Sequence, residues 1–330
     1  MSQSSLSFSA PPRTSTPDAS ATSGMTRRAV IDIGTNSVKV LVADVTGRHI
    51  EPVWEIGEQT RLGRGFYETK TLQPEAIRLT AETVGRFAQR AKDLGAQSIR
   101  AVATSAARDA RNAEDLCSAV KAASELSIDI ISGDLEAELS FAGLQSRDSI
   151  TTSVLALDVG GGSTEFMIGG PEGLAFRHST PLGSVRLLER FKPDASPTSH
   201  DLAQTRQWLL DHLRSEELRL VAEHLAALQP TMVIGVGGTT SLLALIHHRH
   251  STYDTDLIET TVFARAELSA LVEKLWLTPL AIRQTLPGLP PERADVILFG
   301  AAIYEAVLMA YDLPHLGIST RGLRYGALVR

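Results

Sequence analysis

Apolar and polar residues alternate in short bursts from Arg28 onward, and each burst gives way to a longer stretch with helical spacing. Residues 29–33 and 38–44 read as two strands of a hairpin around a Gly-Thr-Asn-Ser turn, and residues 52–59 as a third strand. The spacing predicts a long helix over 74–94, opened by Pro74 and stopped by Gly95. A strand over 98–104, a helix over 112–124 and a strand over 127–131 follow. A second series then begins with a helix over 134–144. Its hairpin pairs 153–158 with 164–169 and is extended by 173–181. A helix over 198–226 opens on Thr-x-x-Asp, the pattern of a capping box. A strand over 231–236, helices over 239–247 and 290–311, and a Gly-interrupted strand or turn with a short helix over 317–329 complete the chain. Strand and helix alternate throughout, which predicts an α/β protein.

The two hairpins carry nearly the same phrase. Residues 30–40 read VIDIGTNSVKV and residues 157–168 read LDVGGGSTEFMI, so Asp32 and Asp158 hold equivalent places. In such a Gly/Ser/Thr turn, successive backbone N–H groups can converge on phosphate oxygens. An aspartate at the strand end can hold a divalent cation, often through water. A third Gly-rich turn, GVGGTT over 235–240, ends a strand and starts a helix.

Composition narrows the class. A chain of 330 residues is long enough for two domains with real cores. A net charge of −6 argues against general nucleic-acid affinity. No apolar run is long enough to span a bilayer. A single cysteine, Cys117, allows no internal disulfide, fits a reducing cytoplasm, and reads as a core residue of its Ala-rich helix. Residues 1–27, rich in Ser, Thr, Pro and Ala, read as a disordered tail. The HHRH run from His247 to His250 lacks a carboxylate partner and reads as a solvated helix end. Trp54, Trp208 and Trp276 read as packing residues.

The motifs in order resemble those of the Ppx/GppA phosphatases, a branch of the actin-like ATPase superfamily. The matching strings are DIGTNS from Asp32, ATSAARDARN from Ala103, SGDLEA from Ser132 and DVGGGSTE from Asp158. GSVRL from Gly183, GVGGTT from Gly235, RADV from Arg293 and GLRYG from Gly322 follow. The resemblance implies two actin-like (ribonuclease H-like) domains with an interdomain cleft, over 28–132 and 133–330, with the C-terminal helix returning to the first. It implies a cytoplasmic homodimer that hydrolyses terminal phosphate from inorganic polyphosphate. The alternatives are hydrolysis of guanosine pentaphosphate (pppGpp), or nucleotide sensing with little turnover. Glu136 is then the catalytic base. Gly34, Thr35, Asn36, Ser37, Arg108, Gly160, Gly161, Gly162, Ser163, Thr164, Gly237 and Gly238 would bind substrate phosphate. Asp158, Glu165 and Asp32 would hold Mg2+ or Mn2+. Leu135 departs from the family string, where an acid usually precedes the base. Longer members continue into a helical domain, so this chain is expected to be a short form.

Overall fold

The computed structural model describes residues 24–146 and 150–330. Most of the tail expected over 1–27 lies outside the described residues. Its last two residues, however, begin a strand. Arg27 is held there by Asp44, with its Nε 2.8 Å from the carboxylate, and donates to the Leu94 carbonyl. The chain forms two compact units. One takes the chain up to Ser132 together with Leu323–Arg330, and the other takes Gly133–Gly322.

The first unit holds a five-stranded sheet in the order β3-β2-β1-β4-β5. Its strands are β1 (Thr26–Ile33), β2 (Ser37–Thr46), β3 (His49–Gln59), β4 (Ser98–Ala103) and β5 (Ile128–Ile130). Helices α1 (Pro74–Asp93) and α2 (Ala113–Ser124) cover one face, where Ile31, Ile33, Val38 and Val40 pack with Val84, Phe87, Leu116 and Val120. Side chains alternate between faces along a strand, so Asp32 and Lys39 belong to the opposite face. The closing helix Leu323–Val329 lies against that face. Arg324 donates to the Val40 carbonyl at 3.2 Å and pairs with Glu55 at 2.7 Å, while Arg28 donates to the Leu328 carbonyl.

The second unit holds a six-stranded sheet in the order β10-β11-β9-β6-β7-β8. Its strands are β6 (Val154–Val159), β7 (Thr164–Gly170), β8 (Gly173–Thr180), β9 (Met232–Val236), β10 (Val262–Ala264) and β11 (His315–Ser319). Helix α3 (Gly133–Leu144) covers one face and packs Ala137, Phe141 and Leu144 on Val154, Ala156 and Met167. Leu155, Leu157, Phe166 and Ile168 enter the larger core on the other face. That core is filled by α4 (Ser184–Phe191), α5 (Ser199–Leu213), α6 (Arg219–Leu228), α7 (Gly238–His248), α8 (Arg265–Leu277) and α9 (Ile297–Ala310). The helix Leu323–Val329 is α10.

Two expected helices differ in the structure, and those over Ser184–Phe191 and Arg265–Leu277 are additional to the sequence analysis. The helix expected over 198–226 breaks into α5 and α6 with a short 3-10 turn between them. Buried Leu213 and Leu218 are five residues apart, which exceeds helical spacing, so the chain must turn to keep one apolar stripe inward. The capping box is present, with the Asp201 amide donating to Thr198 and the Thr198 amide to Asp201. The helix expected over 290–311 is a 3-10 turn at Pro291–Arg293 followed by α9. Asp295 takes the Val296 amide at 2.8 Å, a local bond that competes with helix continuation. The long helix α9 stays in the second unit, and only the short α10 joins the first. Cys117 is half-buried rather than fully in the core. Among the described residues, no helix is long and apolar enough to cross a membrane.

Candidate active site

The two-residue period of a strand decides which side chains meet. Ala156 and Met167 face α3, so Asp158, two residues after the first, and Glu165, two before the second, face it as well. Asp158 and Glu165 are direct cross-strand partners in the β6–β7 hairpin. Helix α3 meets them with Glu136 and Ser140, four residues apart on one stripe. Ser140 Oγ donates to Asp158 Oδ2 at 3.0 Å. Ser179, the partner of Glu165 on β8, donates to its Oε1 at 2.8 Å. Glu165 is 1 % exposed, and its Oε2 is buried with no hydrogen-bond partner. Burial first, and then the charges of Glu136 and Asp158, push its carboxyl well above the ordinary 4.5, while the Ser179 bond opposes the shift. Glu136 itself is buried at 9 % exposure. Three acids thus share one sheltered face of the second unit.

This donor set fits a hard divalent cation. Mg2+ commonly takes one or two carboxylates and completes its shell with water and phosphate oxygens. Asp158 and the buried, unbonded Oε2 of Glu165 supply such oxygens. Among the described residues, no group of three or more His, Cys, Asp and Glu side chains is arranged to hold a metal. Two carboxylates leave the rest of a Mg2+ shell to water and phosphate oxygens.

The raised Glu165 value has a consequence for stability. The folded protein prefers the protonated carboxyl more than the unfolded chain does. Its contribution is therefore full below 4.5 and is lost as pH rises through the raised folded value. The metal-free protein is expected to lose melting temperature as pH climbs from 4.5 through that raised value, and Glu165→Gln to lose less. Added Mg2+ should raise the wild-type melting temperature more than that of the variant. Parallel pH profiles for the two proteins would contradict the placement of Glu165.

The phosphate loops are close copies with small differences in which groups they expose. The Gly34 amide donates to the Ser37 carbonyl at 3.0 Å, and the Gly160 amide to the Ser163 carbonyl at 2.9 Å. These two amides close their own turns, so the amides of 35–37 and 161–163 are the ones left for an anion. The Thr164 hydroxyl donates to the Leu182 carbonyl at 2.6 Å and serves the fold, not a ligand. The second loop is braced from behind. Ser184 and Val185 amides donate to the Gly160 and Gly161 carbonyls, and Arg186 Nε to the Gly162 carbonyl at 2.9 Å. A Cβ on Gly183 would lie 2.4 Å from the Gly161 oxygen, so only glycine allows this approach. The first loop is strapped by the segment after β3, which the sequence reading did not single out. Arg61 and Gly63 amides donate to the Asn36 and Thr35 carbonyls, and Gln59 Nε2 donates to Asn36 Oδ1 at 2.9 Å.

The remaining site residues divide between the units. Gly237, at φ +92°, ends β9, and a Cβ there would lie 2.9 Å from Asp158 Oδ1; Gly238 begins α7. Asp32 has different company from Asp158. Its carboxyl is raised by burial, but its cross-strand partner is Lys39, and Lys39 and Arg324 both draw it back down. The acid of the first hairpin thus has two cations around it, Lys39 from the hairpin and Arg324 from α10, where that of the second has two more acids, Glu165 from the hairpin and Glu136 from α3. Arg108 donates from Nη1 to the Ile131 carbonyl at 3.0 Å, within the first unit. In the HHRH run, His248 Nε2 lies 3.1 Å from Thr261 Oγ1 and His250 Nδ1 lies 2.8 Å from the Thr252 carbonyl oxygen.

Known proteins resemble this arrangement over most of the chain. The model of the Ppx/GppA phosphatase family matches residues 41–330. Exopolyphosphatase 2 of Mycobacterium tuberculosis is 33% identical over 294 residues, covering 85% of this chain and 89% of the relative. A bifunctional 3-dehydroquinate synthase/phosphatase of Fusobacterium nucleatum is 29% identical over 92% of this chain, which spans only 46% of that relative. Among solved structures, an exopolyphosphatase from Cytophaga hutchinsonii superposes with a TM-score of 0.83 at 25% identity, covering 92% of this chain and 96% of the other. The Ppx/GppA family member of Aquifex aeolicus gives 0.74 at 27% identity, covering 92% and 97%.

Proposed function

The chain belongs to the Ppx/GppA phosphatase family and is a phosphoanhydride hydrolase, and from that premise we propose that it releases the terminal phosphate of inorganic polyphosphate. The observation that carries this reading is the meeting of Glu136, Asp158 and Glu165 on one face, beside the second phosphate loop. A phosphoanhydride is kinetically protected by its own negative charge, so hydrolysis requires neutralisation, a positioned water and a group to take its proton. Bound Mg2+ would supply the neutralisation. Asp158 and Glu165 would hold the cation, and the amides of 161–163 would take oxygens of the terminal phosphate. Glu136, on the first turn of α3, accepts a proton from the attacking water. Asp32 is the third acid expected to hold the cation, and Lys39 and Arg324 favour its charged form against burial.

Guanosine pentaphosphate ends in the same phosphoanhydride and is the competing substrate. Phosphate release from long polyphosphate, short polyphosphate, pppGpp and ATP, assayed side by side with Mg2+ and with EDTA, decides between them. The expected result is the highest kcat/KM on polyphosphate and none with EDTA. Turnover confined to pppGpp would move the assignment to the nucleotide, and no turnover on any of the four would make the protein a binder.

Arg108 belongs to the same reading as a phosphate ligand. Arg108→Ala is expected to raise KM about tenfold with little change in kcat, from the loss of a charge-assisted bond worth roughly 1.5–3 kcal/mol. Unchanged kinetics would return Arg108 to a structural role, in which it donates to the Ile131 carbonyl and faces Asp109.

A further inference from the structure

One buried oxygen outside the acid cluster grips the backbone that carries Asp158. Tyr304 lies in α9, a helix apolar except for this residue and Glu305, and is 0 % exposed. Its hydroxyl stands 3.1 Å from the carbonyl oxygens of both Leu157 and Val236, to one of which it donates at a time. It accepts the Val159 amide at 3.4 Å. Leu157 and Val159 are the chain neighbours of Asp158 on either side. Val236 is the cross-strand partner of Asp158 and the residue before Gly237. Gly237, at a positive φ that favours glycine, lies close enough to Asp158 that a Cβ there would stand 2.9 Å from its Oδ1. A single hydroxyl therefore joins both peptide groups flanking Asp158 to the strand end that forms the other wall of its site.

Packing alone does not call for this oxygen. A phenyl ring would fill the same space against Gly235, whose Cβ would lie 3.0 Å from Tyr304 Cε1. A hydroxyl taken out of water costs free energy unless it finds partners, and this one finds three at the strand ends beside Asp158. We propose that Tyr304 is a positioning residue for the cation site: its hydroxyl fixes the backbone on both sides of Asp158 and so orients the carboxylate as a ligand. The inference rests on the reading of Asp158 given above. Burial, then the nearby Asp158 charge, holds the phenol well above its ordinary value of 10.0, so it remains a protonated donor at neutral pH.

Tyr304→Phe removes the oxygen and keeps the ring. Supporting groups behind metal ligands typically alter affinity by about 10–100-fold when removed. Mn2+ binding followed by electron paramagnetic resonance should therefore weaken about tenfold in the full-length variant. The Mg2+ concentration for half-maximal phosphate release should rise by a similar factor. Saturating Mg2+ should restore kcat, with KM for polyphosphate unchanged. Trp276→Phe is the control, since it removes another buried hydrogen bond of this unit, from Nε1 to the Leu298 carbonyl, away from Asp158. It should lower melting temperature without moving Mn2+ affinity. Unchanged Mn2+ affinity in Tyr304→Phe, or equal weakening in both variants, overturns the positioning role and leaves the hydrolase reading intact. A wild-type protein that binds no Mn2+ overturns both.

Discussion

Glu136→Gln is expected to lower kcat for phosphate release at least about a hundredfold while leaving KM nearly unchanged, since a positioned general base contributes about 10²–10⁴-fold. The amide keeps the shape and hydrogen-bonding reach of the carboxyl but cannot take a proton. Folding should survive. Glu136 lies in the first turn of α3, where a negative charge contributes only about 0.3–1 kcal/mol through the helix dipole. The substitution also removes one of the two charges that press on Glu165, which offsets part of that loss. The variant should therefore bind polyphosphate and Mn2+ as the wild type does. Turnover above about a tenth of wild type would mean that Glu136 is not the base.

Asp158→Asn should fail differently. Its role is to hold the cation, so activity at low Mg2+ should fall by more than about tenfold and recover in part as Mg2+ is raised. The neutral side chain can still accept from Ser140 Oγ, which limits the structural damage. Phosphate release measured over a Mg2+ titration separates the two variants. Recovery with Mg2+ is expected for Asp158→Asn and absent for Glu136→Gln. The same response in both would merge the two roles.

The sequence carried the acid cluster because it carried the hairpins. The repeated Asp-x-Gly phrase marks where each strand ends, and the two-residue period then places Asp158 and Glu165 on one face. What it could not carry was the company of each acid. Asp32 and Asp158 are equivalent in the repeat, yet Arg324, nearly 300 residues from Asp32, decides that the first is surrounded by cations. The competition for loop donors was equally hidden. That the Gly34 and Gly160 amides close their turns, and that Thr164 bonds Leu182, follows from hairpin geometry and not from residue type. Helix α8 has a legible stripe in Leu268, Leu271, Val272 and Leu275, but its N-cap is Ala264, which offers no side-chain oxygen as a start signal. Tyr304 sits in an apolar run where nothing local marks its hydroxyl as a bond to strands some 70 and 145 residues away.

The central claim is that water, activated by Glu136, attacks the terminal phosphorus of a polyphosphate chain. It is tested most directly by running the reaction in H₂¹⁸O with Mg2+ and analysing the released phosphate by mass spectrometry. The expected result is one ¹⁸O atom in each released phosphate, none in the shortened chain, and no labelled product from Glu136→Gln above a hundredth of the wild-type rate. Label in the remaining chain, release of unlabelled phosphate, or full labelling by Glu136→Gln would contradict it.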